Sequence, residues 1–78
     1  MYTATILLNT FENAKKFVQI CSEQPFNIEV SAGNMVVHAK SIIGVLSMEL
    51  TEPMKLTVKK GDTAAVQQFA DRIAPFIV

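Results

Sequence analysis

The sequence predicts an α+β open-faced sandwich: a four-stranded antiparallel sheet with helices on one face, in the order βαββαβα. Three observations lead there. Short stretches at the start, in the middle and near the end alternate apolar and polar residues with period two, the signature of strands with one covered face. Two longer stretches place apolar residues at helical spacing and so carry one apolar stripe each. A helix stripe needs a sheet face to cover, and the alternating strands keep their polar side free for water.

Tyr2 to Leu8 is rich in β-formers, with Tyr2, Ala4, Ile6 and Leu8 on one side of the pleat, and reads as the first strand. Asn9 or Thr10 can cap the segment that follows. There, Phe11, Ala14, Phe17, Val18 and Cys21 form a stripe opposite Glu12, Lys15, Lys16, Gln19 and Glu23, giving a helix that ends before Pro25. Phe26, Ile28 and Val30 alternate with polar neighbours as a second strand. Gly33-Asn34 supplies turn chemistry, and Met35 to Ala39 returns as the other half of a hairpin. Ser41 precedes the apolar run Ile42, Ile43, Val45, Leu46, Met48, which fits a capped helix of about two turns because Gly44 weakens anything longer. Met54 to Lys59 is the last strand, with its lysines on one side. Gly61-Asp62-Thr63 turns the chain into a final helix with the stripe Ala65, Val66, Phe69, Ala70 and Ile73, closed by Pro75.

The chain has 78 residues, which predicts a single domain over residues 1–78. Half the residues are apolar and 18% are charged, a balance that favours a packed core over disorder. Seven basic and seven acidic residues cancel, and no basic cluster exceeds the pairs Lys15-Lys16 and Lys59-Lys60, so nucleic-acid binding is not expected. The single Cys21 falls in a helical stripe and reads as a buried thiol in a reducing compartment. No apolar run is long enough for a membrane span and the start lacks the basic region of a secretory signal, so a cytoplasmic protein without membrane contact is expected. One Cys, one His and no carboxylate cluster at ligand spacing give no metal or cofactor site.

Ala39-Lys40-Ser41-Ile42-Ile43-Gly44-Val45-Leu46-Ser47-Met48 closely resembles the segment bearing the regulatory serine in the HPr (histidine-containing phosphocarrier) family of the phosphoenolpyruvate-dependent sugar phosphotransferase system, Gram-positive type. Ala14-Lys15-Lys16-Phe17-Val18 resembles that family's first helix, and Gly61-Asp62 stands where its last helix opens. The resemblance implies an HPr-like sandwich, a non-enzymatic role and protein partners. Family members carry phosphate on a histidine within a Gly-Leu/Ile-His-Ala/Thr-Arg-Pro-Ala pattern. Setting Ala14 on the last position places Thr10 at the histidine and Glu12 at the arginine.

Both replacements oppose carrier chemistry, since a threonine hydroxyl needs an activating base and a carboxylate repels an incoming phosphoryl group. His38, the lone histidine, lies mid-strand with no partner pattern, so it is not expected to substitute. Ser41 matches the regulatory serine, which implies modification by an HPr-type serine kinase/phosphorylase and recognition by a transcriptional regulator of carbon use. The plainer reading makes Ser41 only a helix cap. Likewise Lys40, Ile42, Ile43, Leu46 and Met48 read either as an exposed partner-binding patch or as core packing. The sequence thus points to a regulatory or interaction module, with a phosphocarrier of unorthodox acceptor, or a repurposed HPr-fold binding module, as the alternatives.

Overall fold

The structure is a computed structural model describing residues Met1–Val78. It comprises β1 (Tyr2–Ile6), α1 (Phe11–Ser22), β2 (Glu29–Ala32), β3 (Met35–His38), α2 (Ile42–Leu46), β4 (Met54–Val58) and α3 (Thr63–Arg72), followed by a 3₁₀ turn at Ala74–Phe76. This is the βαββαβα order expected. The four strands form one antiparallel sheet in the order β1-β4-β2-β3.

β4 is central. Its register sets Ile6 against Met54 and Tyr2 against Val58 on one side, and Val30 against Leu56 on the other. Met54, Leu56 and Val58 are buried while Lys55 and Lys59 are exposed, as period-two alternation requires. The inward row shares one core with the stripes of α1 (Ala14, Phe17, Val18, Cys21) and α3 (Phe69, Ile73), and no polar or charged residue is buried. Phe17 lies edge-on to Phe76 at 6.0 Å between centroids, and Phe26 to Phe69 at 5.6 Å.

Several boundaries are shorter than the alternation suggests. β1 stops at Ile6 because β4 begins opposite it, and the next N–H, that of Leu7, donates to the Phe76 carbonyl instead. Phe26 and Ile28 are buried in alternation but join no ladder, since β4 pairs with β2 only from Glu29 onward. The β2–β3 hairpin turns on Gly33, whose φ of 58° at the first central position, followed by an Asn34 of negative φ, is the arrangement that favours glycine there. At Gly61, in the expected turn into α3, space is the constraint. A Cβ there would stand 2.7 Å from Val66 Cγ2 and 3.2 Å from the Phe26 ring, so a side chain is excluded by close approach.

All three helices begin with a side-chain cap: Thr10, Ser41 and Asp62 accept from the N–H groups of Asn13, Gly44 and Ala65. Arg72 of α3 reaches Glu23 at the end of α1 at 2.6 Å, a pair about half exposed and worth under about 1 kcal/mol. Cys21 is fully buried, as its place in the stripe suggests. Burial pushes its thiol from 9.0 up to about 12, against a smaller opposing pull from the Lys40 charge.

Truncation of the ring in Phe17→Ala is expected to cost about 3–5 kcal/mol, and Gly61→Ala about 1–3 kcal/mol, in urea unfolding. Because the Cys21 pKa is higher folded than unfolded, its contribution is complete below about pH 9 and declines as pH rises toward 12. Stability measured across that window should therefore fall less steeply in Cys21→Ala than in the parent.

Candidate functional site

The junction between β1 and α1 is built by backbone constraint. After Ile6 the chain buries Leu8 and then turns sharply at Asn9, the one non-glycine residue with positive φ, at 69°. Asparagine tolerates this left-handed conformation better than most residues. The Asn9 N–H donates to the Leu50 carbonyl at 2.8 Å, which ties the junction to the loop after α2. Thr10 follows in extended conformation as the N-cap of α1.

Two side chains then close the turn. The Asn13 N–H donates to Thr10 Oγ1 at 3.1 Å, and Asn13 Nδ2 donates back to the Leu8 carbonyl at 2.8 Å. Thr10 is exposed, and its hydroxyl oxygen is engaged as an acceptor in the cap. Glu12 sits in the first turn of α1, where a carboxylate favours the helix dipole but repels a second anion. No imidazole joins them. His38 lies on β3 opposite Glu29, on the sheet face turned away from the helices. Chemically this junction can cap a helix; it offers no nitrogen nucleophile.

Ser41 is exposed at the start of α2. Its Oγ accepts from the Gly44 N–H at 3.1 Å, and its own N–H donates to the His38 carbonyl at 3.1 Å. α2 is five residues long, shorter than the two turns expected, and is closed by Ser47 Oγ donating to the Gly44 carbonyl at 2.6 Å. Gly44 is packed: a Cβ there would meet Ser41 Oγ and Val37 Cβ at 3.3 Å.

The neighbouring residues divide. Ile43 is 80% exposed, whereas Ile42 and Leu46 are half-buried against the core. Met48 is buried in the core, so its place in an exposed patch is corrected: it follows the end of α2, where the chain turns inward. Lys40 also departs from the expectation, because Nζ donates to the Gln24 carbonyl just past α1 at 2.8 Å and the residue is half-buried. Phe11, expected in the α1 stripe, is 54% exposed instead. As the first helical residue it precedes the part of α1 that meets the sheet, and Lys15 Nζ lies 5.4 Å from its ring centroid.

The junction generates a test of its backbone logic. In urea unfolding, Thr10→Ala should lose about 1 kcal/mol through the cap. Asn9→Val should lose about 1–2 kcal/mol by forcing a β-branched residue into the left-handed region, while Asn9→Gly should hold parent stability.

Residues 11–77 match the family described as the PTS HPr component phosphorylation site. The matched range opens at Phe11, one residue after Thr10. Among solved structures, HPr-C-His from Thermoanaerobacter tengcongensis is similar at 30% identity and a TM-score of 0.75, over 95% of this chain and 92% of that one. The phosphocarrier protein HPr from Bacillus anthracis str. Ames shares the fold, with a TM-score of 0.68 at 20% identity over 91% and 94% of the two chains. No curated protein matches the chain. No helix is long and apolar enough to cross a membrane. Members of this family are phosphocarriers of the phosphotransferase system, not enzymes. With its four-stranded antiparallel sheet, three helices and a family match over most of its length, the chain belongs to the HPr family.

Proposed function

We propose that this chain is an HPr-like regulatory or interaction module related to the phosphotransferase system, acting through Ser41 and not as a phosphocarrier. The observation that carries the reading is the Thr10 hydroxyl: it caps α1 by accepting from Asn13, beside Glu12, where a carrier needs a nucleophilic nitrogen and a cationic partner. The Thr10 hydroxyl makes no hydrogen bond to a side-chain base that could take its proton.

Exposure of Ser41 and its capping position support phosphorylation there. A phosphate on Oγ keeps acceptor oxygens in front of the Gly44 N–H, so the cap survives and the effect falls on the surface. α1 and α2 pack together, and each leaves one apolar side chain in solvent, Phe11 and Ile43. A partner that buries Ile43 would touch Ser41 two residues away, which couples docking to the charge of the serine. Ile42 and Leu46 hold Ile43 in place from the core side, and Lys40 anchors the segment to the end of α1. The partners of this reading are an HPr-type serine kinase/phosphorylase and a transcriptional regulator of carbon use, and its setting is the cytoplasm.

Incubation with an HPr-type serine kinase and ATP should add a single phosphate by intact-mass spectrometry, and Ser41→Ala should abolish it. Incubation with phosphoenolpyruvate and the first enzyme of the phosphotransferase system should add none. Transfer in the second experiment, or no addition in the first, would sink the corresponding half of the proposal.

A further inference from the structure

The face of the sheet that the helices leave open is not flat. Asn27, Glu29, His38, Thr57, Lys59 and Lys60 surround a cleft of about 290 Å³, near the lower end of the volumes that small-molecule sites occupy. Three strands build it. The register places His38 and Thr57 on either side of Glu29, and the alternation of β4 turns Thr57 and Lys59 to the same face.

No apolar residue lines the cleft, so the groups that can recognise a ligand there are polar and charged. Glu29 is the only carboxylate among the six, and its one partner is Lys59 at 3.7 Å, too long for a tight charge-assisted hydrogen bond. Lys60, His38, Asn27 and Thr57 make no side-chain hydrogen bond within the protein, so their donors and acceptors are free for a ligand. Two lysines lining one cleft fit a dianion better than a monoanion, because each ammonium can satisfy a different oxygen. Glu29 offers only acceptors and therefore calls for hydroxyl donors on the same ligand.

We propose that this cleft binds a small phosphate ester carrying free hydroxyl groups. Lys59 and Lys60 take the phosphate, and Glu29, Asn27 and Thr57 take the hydroxyls. The site lies on the face opposite α1 and α2 and stands independently of any role of Thr10 or Ser41.

Glycerol 3-phosphate is a suitable probe, with inorganic phosphate and glycerol as controls, titrated into the ¹⁵N-labelled chain. Saturable amide shifts at Asn27, Glu29, His38 and Thr57 are expected with glycerol 3-phosphate and none with glycerol. Lys59→Gln/Lys60→Gln should weaken binding about tenfold or more, since two hydrogen bonds to a charged group are lost. Lys15→Gln/Lys16→Gln, which removes an equally exposed pair on α1, should leave it unchanged. The proposal fails if no saturable shifts occur at these residues, if inorganic phosphate binds as tightly as the ester, or if the two double variants weaken binding equally.

Discussion

The organising constraint of this protein is one apolar sheet face that must be removed from water. Ile6, Val30, Met54, Leu56 and Val58 form it, and three of these five lie on the central strand. Burial at about 25 cal/mol per Å² makes that face the main reason for α1 and α3 to dock on the same side. Everything chemical follows from the resulting asymmetry. The helix side carries the caps together with the exposed side chains of Phe11 and Ile43, while the opposite side is lysine-bearing and open.

The β1–α1 junction shows how little separates a capped helix from a reactive one. The backbone turn at Asn9, the extended residue after it and the free N–H groups of the first helical turn present whatever side chain occupies position 10 to solvent. With threonine there, the oxygen turns back onto the helix and satisfies Asn13. The same geometry that could aim a nucleophile outward instead completes a local hydrogen-bond network with Leu8 and Leu50. Chemistry at such a position is decided by side-chain identity, and the scaffold is indifferent to it.

The order of elements and the inward rows were legible because they rest on periodicity in β1, β2, β4 and both long helices, with the Gly33-Asn34 turn supplying β3. The cap at Ser41 was legible, and those of the long helices were narrowed to Asn9 or Thr10 and to Gly61-Asp62-Thr63, because Ser, Thr, Asn and Asp are favoured there for a local reason. What escaped was set by contacts distant in sequence. Met48 and Phe11 have the same apolar character, but one is folded inward past the end of α2 and the other stands before α1 reaches the sheet. Lys40 reads as a surface cation until the Gln24 carbonyl is seen within reach. Asn9 preceding a cap was the available hint of a left-handed turn, whereas nothing local shows that Val66 and Phe26 crowd Gly61. The cleft under Lys59 and Lys60 was hidden for the same reason, since three strands must pair before it exists.

The strand order carries a consequence for the way the chain reaches this state. Only β2 and β3 are joined by a tight turn; β1 waits for a partner some fifty positions further along, and β2 pairs with that same late strand. Closing such long loops has an entropic cost that is met before the sheet rewards it. During synthesis from the N-terminus, the hairpin and the first helix can form early, but β1 stays without a neighbour until Met54–Val58 has been made. Assembly is therefore gated by a single late segment, and the rate-limiting event should involve its insertion between two strands already waiting for it.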